Sequence, residues 1–233
     1  MVRTARIIVW ASLVVLAACA RPEPAGKADV GREGGKADGR ESSSAIPPSR
    51  LPAIVFLGTS LTAGLGLDPD QAYPALVQRK LDSAGLGYTV VNAGVSGESS
   101  AGAVRRIDWI LRQPPAVLMI ETGANDGLRG QDPDSIKANI QLMIDQVRQR
   151  SPSTRIILAG MEALPNLGAD YTRRFRAIFP ALAAANHVAL VPFLLDGVAG
   201  VDSLNQQDGI HPNETGARMV ADNVWPVLRK ELR

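Results

Sequence analysis

Ala53-Ile-Val-Phe-Leu57 followed by Gly58-Thr-Ser-Leu-Thr-Ala-Gly64 is the stretch that decides the fold. Five apolar residues closed by glycine read as a short buried strand, by length and by flanks. Gly58 permits a tight turn, so the next residues are presented at the edge of a sheet. Ser60 is the second of them. A serine after a strand is also a common helix N-cap, and both readings are open at this point.

Four further apolar runs have the same character, at residues 88–92, 116–121, 154–159 and 188–191. Helical patterns separate them, over 72–83, 99–111 and 171–185, with a last one over 212–232 that Pro212 can open. The clearest begins at Pro133 behind a candidate N-cap, Asp132, with Ile136, Ile140, Met143, Ile144 and Val147 on one stripe. Pro180 and Pro226 fall inside two of these and should kink or split them. Strand and helix alternate five times, which predicts a three-layer α/β/α doubly wound sandwich on a five-stranded parallel sheet. Ligands bind such sheets beyond the carboxyl ends of the strands. Residues 59–60, 94–98, 122–126 and 161–164 therefore become the ones to watch.

The first 50 residues read differently. Arg3 and Arg6 precede an apolar run, 7–18, interrupted only by Ser12, and Leu16-Ala-Ala-Cys19 follows. That is the layout of an export signal, too short for a comfortable membrane span; an uncleaved N-terminal anchor is the other reading. The motif resembles the bacterial lipoprotein signal. That resemblance implies cleavage after residue 18, acylation of Cys19, and a place in the cell envelope, at the outer membrane facing the periplasm. Cys19 is the single cysteine, so an intramolecular disulfide is excluded. Residues 19–50 are rich in Gly, Pro, Ser and charge, with Val30 and Ile46 their only large aliphatics, and are expected to form a disordered tether. Gly34-Gly-Lys36 lacks both a preceding strand and the Ser or Thr of a phosphate loop, since Ala37 follows. Residues 51–233 make one domain.

Charge excludes one class of partner. The chain carries 25 basic and 23 acidic residues, of which 8 and 5 lie in residues 1–50. The folded part holds 17 and 18, a net charge of −1, and gives no electrostatic case for nucleic acid.

Two histidines are present, His187 and His211. Asp208-Gly-Ile-His-Pro212 places a carboxylate three residues before His211, where on a turn it reaches Nδ1 and leaves Nε2 for a hydroxyl. Asp-x-x-His alone is often a capping arrangement. His187, after Asn186 at a helix end, reads as structural or exposed. Asn125 after the third run, and the Gly97 N–H after the second, are candidate oxyanion donors as well as ordinary turn residues. Gly-x-Ser-x-Gly, the nucleophile elbow of other α/β hydrolases, does not occur. No metal or cofactor is expected: Asp132 with Asp134, and Asp196 with Asp202, read as solvated loop carboxylates without metal-loop spacing.

Taken in order, Gly58-Thr-Ser-Leu-Thr-Ala-Gly64, Val91-Asn-Ala-Gly-Val-Ser-Gly-Glu98, Gly123-Ala-Asn-Asp126 and Asp208-Gly-Ile-His-Pro212 resemble the four sequence blocks of the SGNH (GDSL-type) hydrolases, over residues 51–233. Within them the chain is most similar to the branch holding thioesterases, lysophospholipases and arylesterases. The resemblance implies a flavodoxin-like fold, Ser60 as nucleophile, His211 as general base and Asp208 as its orienting acid. It also implies an oxyanion hole of Ser60 N–H, Gly97 N–H and the Asn125 side chain, and a loop bordering the acyl site at Asp126, Gly127, Leu128 and Arg129. Thr59 departs from the pattern, since the family usually has Asp there. Hydrolysis should survive this change, with altered local hydrogen bonding. The implied activity is a serine esterase acting on aryl or short to medium acyl esters, with lysophospholipid and thioester in range. Two alternatives are a carbohydrate O-deacetylase of the same family and a non-catalytic envelope binding lipoprotein.

Overall fold

The computed structural model describes residues 51–232. The expected signal (1–18), Cys19 and the tether (19–50) lie outside them. Five strands form one sheet: β1 (Ala53–Gly58), β2 (Thr89–Gly94), β3 (Val117–Ile120), β4 (Arg155–Ala159) and β5 (Ala189–Val191). Their order is β2-β1-β3-β4-β5, and every neighbouring pair is parallel. The doubly wound reading of the sequence holds.

Among the described residues, seven α-helices connect and flank the strands: α1 (Ser60–Ala63), α2 (Tyr73–Ser83), α3 (Ser100–Ile110), α4 (Ala124–Leu128), α5 (Pro133–Arg150), α6 (Ala169–Asn186) and α7 (Glu214–Glu231). Right-handed crossovers place α2 on the face opposite α3, α5 and α6, because the chain moves first outward from β1 and then back past it. The packing agrees, with α2 against α7, and α5 against both α3 and α6. Phe56, Phe175 and Phe179 are fully enclosed between these layers. Burial on that scale contributes roughly 1.5–3 kcal/mol per side chain.

Several helix ends have visible causes. The Asp132 carboxylate accepts from Ser135 N–H at 3.2 Å, and Pro133 fills the first position of α5, where a missing N–H costs nothing. Against expectation, Pro212 does not open α7. Asn213 is the cap, its Oδ1 accepting from Thr215 and Gly216 N–H at 3.0 and 3.1 Å, while Pro212 bridges to Asn205. Nor do Pro180 and Pro226 split their helices, which run on through both. Each proline sits on the solvent side, where water can reach the carbonyl it leaves unpaired. Phe175, Ile178, Phe179 and Leu182 bury the other face of α6 and outweigh the local penalty.

The switch in winding direction falls between β1 and β3, so the carboxyl end of β1 opens onto a crevice. Ser60 begins there. The turn behind it is tight: a Cβ on Gly94 would lie 2.2 Å from Ala63 N and 2.8 Å from Thr59 O. Gly94→Ala is expected to destabilise the domain by roughly 1–3 kcal/mol and to depress turnover, because the atoms struck are backbone of the turn that carries Ser60. Thermal unfolding and kcat check this, and an unchanged Tm would refute the close approach.

Candidate active site

Ser60 is the first residue of α1, and Thr59, not Ser60, holds the N-cap position. The capping alternative for Ser60 therefore fails. Its Oγ lies 2.8 Å from His211 Nε2, across 151 residues of sequence. On the far side of the ring, Nδ1 is 2.6 Å from Asp208 Oδ2. The other carboxylate oxygen of Asp208 accepts the N–H groups of Ile210 and His211 at 2.9 and 3.0 Å. Those bonds, His211 N–H first, hold the Asp208 carboxyl down at about 2. The carboxylate stays charged throughout the range in which an imidazole base works. It fixes Nδ1 as the protonated nitrogen, so Nε2 faces the serine as an acceptor.

The loop carrying this pair is tied on several sides. Gln206 N–H donates to His211 O at 2.7 Å, and its side-chain amide donates to Leu65 O at 2.7 Å and Pro212 O at 3.0 Å. Gln206 thus joins the histidine loop to the exit of the serine turn. Sequence reading missed it, and a lone glutamine in a loop carries no signal of its own.

Ser60, Gly97, Asn125 and His211 line one cavity of about 560 Å³. That lies within the ordinary range for small-molecule sites. Asn125 sits in the first turn of α4 and donates one amide hydrogen to Glu98 O at 3.0 Å. Arg129 Nη2 donates to Gly97 O at 3.0 Å. Both bonds grip the loop at 97–98 through its carbonyls, and Gly97 adopts a left-handed backbone, φ 77°, that suits glycine. Of the four residues expected to border the acyl site, Leu128 forms part of the cavity wall. Asp126 and Gly127 do not line it. Asp126 is buried and caps α3 instead, accepting from Ser100 N–H at 2.8 Å and Ser100 Oγ at 2.7 Å. Arg129 serves the Gly97 carbonyl.

His187 ends α6 in a left-handed conformation and is exposed, remote in role from this cavity. Asp132 and Asp134 both pair with Arg174, at 3.3 and 3.0 Å. Among the described residues no group of three His, Cys, Asp or Glu side chains is placed to hold a metal ion.

The profile of the "GDSL-like Lipase/Acylhydrolase family" matches residues 56–219. Esterase TesA of Pseudomonas aeruginosa is 40% identical over 177 residues, covering 76% of this chain and 87% of that protein. The Escherichia coli protein named thioesterase 1/protease 1/lysophospholipase L1 is 34% identical over 170 residues, 72% of this chain and 79% of its own length. Among solved structures, the psychrotrophic esterase EstA from Pseudoalteromonas sp., inhibited by monoethylphosphonate, superposes with TM-score 0.72 at 30% identity, covering 77% of this chain and 97% of that one. A serine, histidine and aspartate in hydrogen-bonded series at a doubly wound sheet's switch point, together with these matches, place the chain in the GDSL-like lipase/acylhydrolase (SGNH) family.

Proposed function

We propose that this carboxylic ester hydrolase works through an acyl-enzyme on Ser60, with His211 as base and Asp208 as its orienting acid. The observation that carries the reading is the unbroken series Asp208 Oδ2, His211 Nδ1, His211 Nε2, Ser60 Oγ, at 2.6 and 2.8 Å. As Ser60 Oγ bonds to the ester carbonyl carbon, its proton passes to His211 Nε2. The carbonyl oxygen becomes an oxyanion between Ser60 N–H, Gly97 N–H and the free hydrogen of the Asn125 amide. Ser60, at the first helical position, has an N–H with no partner inside α1 and so has one to offer. The C–O bond to the alcohol then breaks, the leaving oxygen takes the proton from His211, and water repeats the sequence on the acyl-enzyme.

Leu65, Leu128, Met161, Leu164, Phe193 and Ile210 contribute apolar wall to the cavity. Such a wall suits an aliphatic or aryl acyl group rather than a sugar. Phe193 is the one benzenoid ring among the lining residues, which leaves little of the stacking surface an acetylated glycan would use. Rates on p-nitrophenyl esters should rise from acetate to a medium chain and then fall. A monotonic preference for acetate would favour the deacetylase reading instead.

Lysophospholipid is the physiological candidate, reached from a lipid-anchored position: Cys19 acylated, residues 19–50 the tether, the domain in the periplasm at the outer membrane. The support is the Leu16-Ala-Ala-Cys19 motif. Among the described residues no helix is long and apolar enough to cross a membrane.

The decisive experiment is labelling with a fluorophosphonate, followed by peptide mass analysis. The reagent should add one phosphonyl group, on the peptide that contains Ser60. Absence of the adduct in folded, esterolytic protein would overturn the serine mechanism.

A further inference from the structure

Glu121 follows the last residue of β3 and is 1% exposed, yet the mechanism above gives it no task. A carboxylate taken so far from water costs several kcal/mol unless its oxygens are satisfied. They are satisfied from one place. Thr59 N–H donates to Oε2 at 2.7 Å, Thr59 Oγ1 donates to both oxygens at 3.0 Å, and Thr62 Oγ1 donates to Oε2 at 3.0 Å. Tyr73 Oη closes the network at 2.7 Å from Thr62 Oγ1. Thr59 precedes Ser60 and Thr62 lies two residues beyond it.

The other end of Glu121 is equally fixed. Its own N–H donates to Leu57 O at 2.8 Å, which continues the β1–β3 pairing up to the point where β1 turns into α1. The turn folds so closely over the carboxylate that a Cβ on Gly58 would lie 1.9 Å from Thr62 Oγ1 and 2.6 Å from Glu121 Oε2. Glu121 takes up the Thr59 N–H, the one directly before that of Ser60. Thr59 supplies two of the donors, its N–H and its hydroxyl.

We infer that Glu121 is a positioning residue: its buried carboxylate, gripping Thr59 and Thr62 on either side of Ser60, sets the direction of the Ser60 hydroxyl and N–H. The inference rests on Ser60 being the nucleophile. Acting through backbone placement, it bears on the rate of attack and not on substrate binding.

Full-length protein carrying Thr59→Val, Thr59→Ser, Glu121→Gln or Ser60→Ala tests this. The readouts are kcat, KM, Tm and the rate of Ser60 labelling by a fluorophosphonate. Glu121→Gln puts an amide donor against the threonine donors and should lower kcat about 100-fold, as expected for a reacting group displaced by an ångström or so. Thr59→Val, which keeps the N–H bond and loses the hydroxyl, should lower kcat about 10-fold. Labelling should slow in parallel, with KM within about twofold of the parent. Thr59→Ser should recover most of the loss. Should Glu121→Gln fail to fold, Thr59→Val alone decides. Lower Tm with kcat and labelling rate unchanged would mean a structural role and overturn the proposal. Hydrolysis retained by Ser60→Ala would remove the nucleophile assignment and this proposal with it. A silent Ser60→Ala beside fully active Thr59→Val and Glu121→Gln would overturn this proposal alone.

Discussion

Ser60→Ala is expected to lower kcat on p-nitrophenyl butyrate by on the order of 10⁵-fold or more, with KM little changed. On the proposed mechanism, removing Oγ deletes the atom that forms the acyl-enzyme, and His211 Nε2, now without its partner at 2.8 Å, has only water to activate. The proposed Gly97 and Asn125 oxyanion donors remain, so a residue of catalysis over the uncatalysed reaction should persist. Folding should be unaffected, because Ser60 Oγ bonds to His211 and not to the core. Steady-state kinetics with Tm on the same sample check this. A loss of less than about tenfold in correctly folded protein would reassign the nucleophile.

Asp208→Asn is expected to cost about 10⁴-fold in kcat with almost no change in fold. An asparagine oxygen can still accept from Ile210 and His211 N–H, the bonds the aspartate makes at 2.9 and 3.0 Å. Its amide nitrogen would then face His211 Nδ1 and donate to it. The ring would be forced into the tautomer that carries hydrogen on Nε2, and a donor would point at Ser60 where an acceptor is needed. The pH dependence follows from the same geometry. The Asp208 carboxyl, held at about 2 chiefly by the His211 and Ile210 N–H groups, stays ionised well into the acid range. Asp208 should therefore add no second proton to the acid limb of kcat/KM. A slope of two would mean that Asp208 protonates in the same range. For stability the sign is that of a depressed acid: the contribution of Asp208 is complete above its unfolded value of about 3.9 and disappears as pH falls toward about 2. With 44% of the side chain exposed, that contribution is small.

Much of the architecture was legible because its causes are local. Apolar runs of four to six residues became five strands of three to six, and the stripe from Ile136 to Val147 became the buried face of α5. The Asp208–His211 contact was legible for the same reason, since three residues on a turn bring the two side chains together whatever surrounds them. The boundary errors also have local causes that competed. Pro212 is a good first helical residue, but the Asn213 side chain makes two capping bonds and begins α7 at Glu214. Helices α1 and α4, at four and five residues, are too short to show a period and read as loops.

What the amino-acid order determined by itself is the list of parts: a serine behind a glycine turn, a histidine with its carboxylate, an amide and a glycine after successive strands. Which of those parts meet was decided by tertiary structure alone. Ser60 and His211 are joined only because winding reverses at β1 and brings the ends of the domain to one sheet edge. Asp126, placed beside Asn125 in sequence, was read with the acyl loop, yet packing turns it onto Ser100. Glu121 gave no sign of importance as the polar end of an apolar run. Its role exists only in three dimensions, where parallel pairing of β1 with β3 sets its carboxylate beneath the turn that carries the serine.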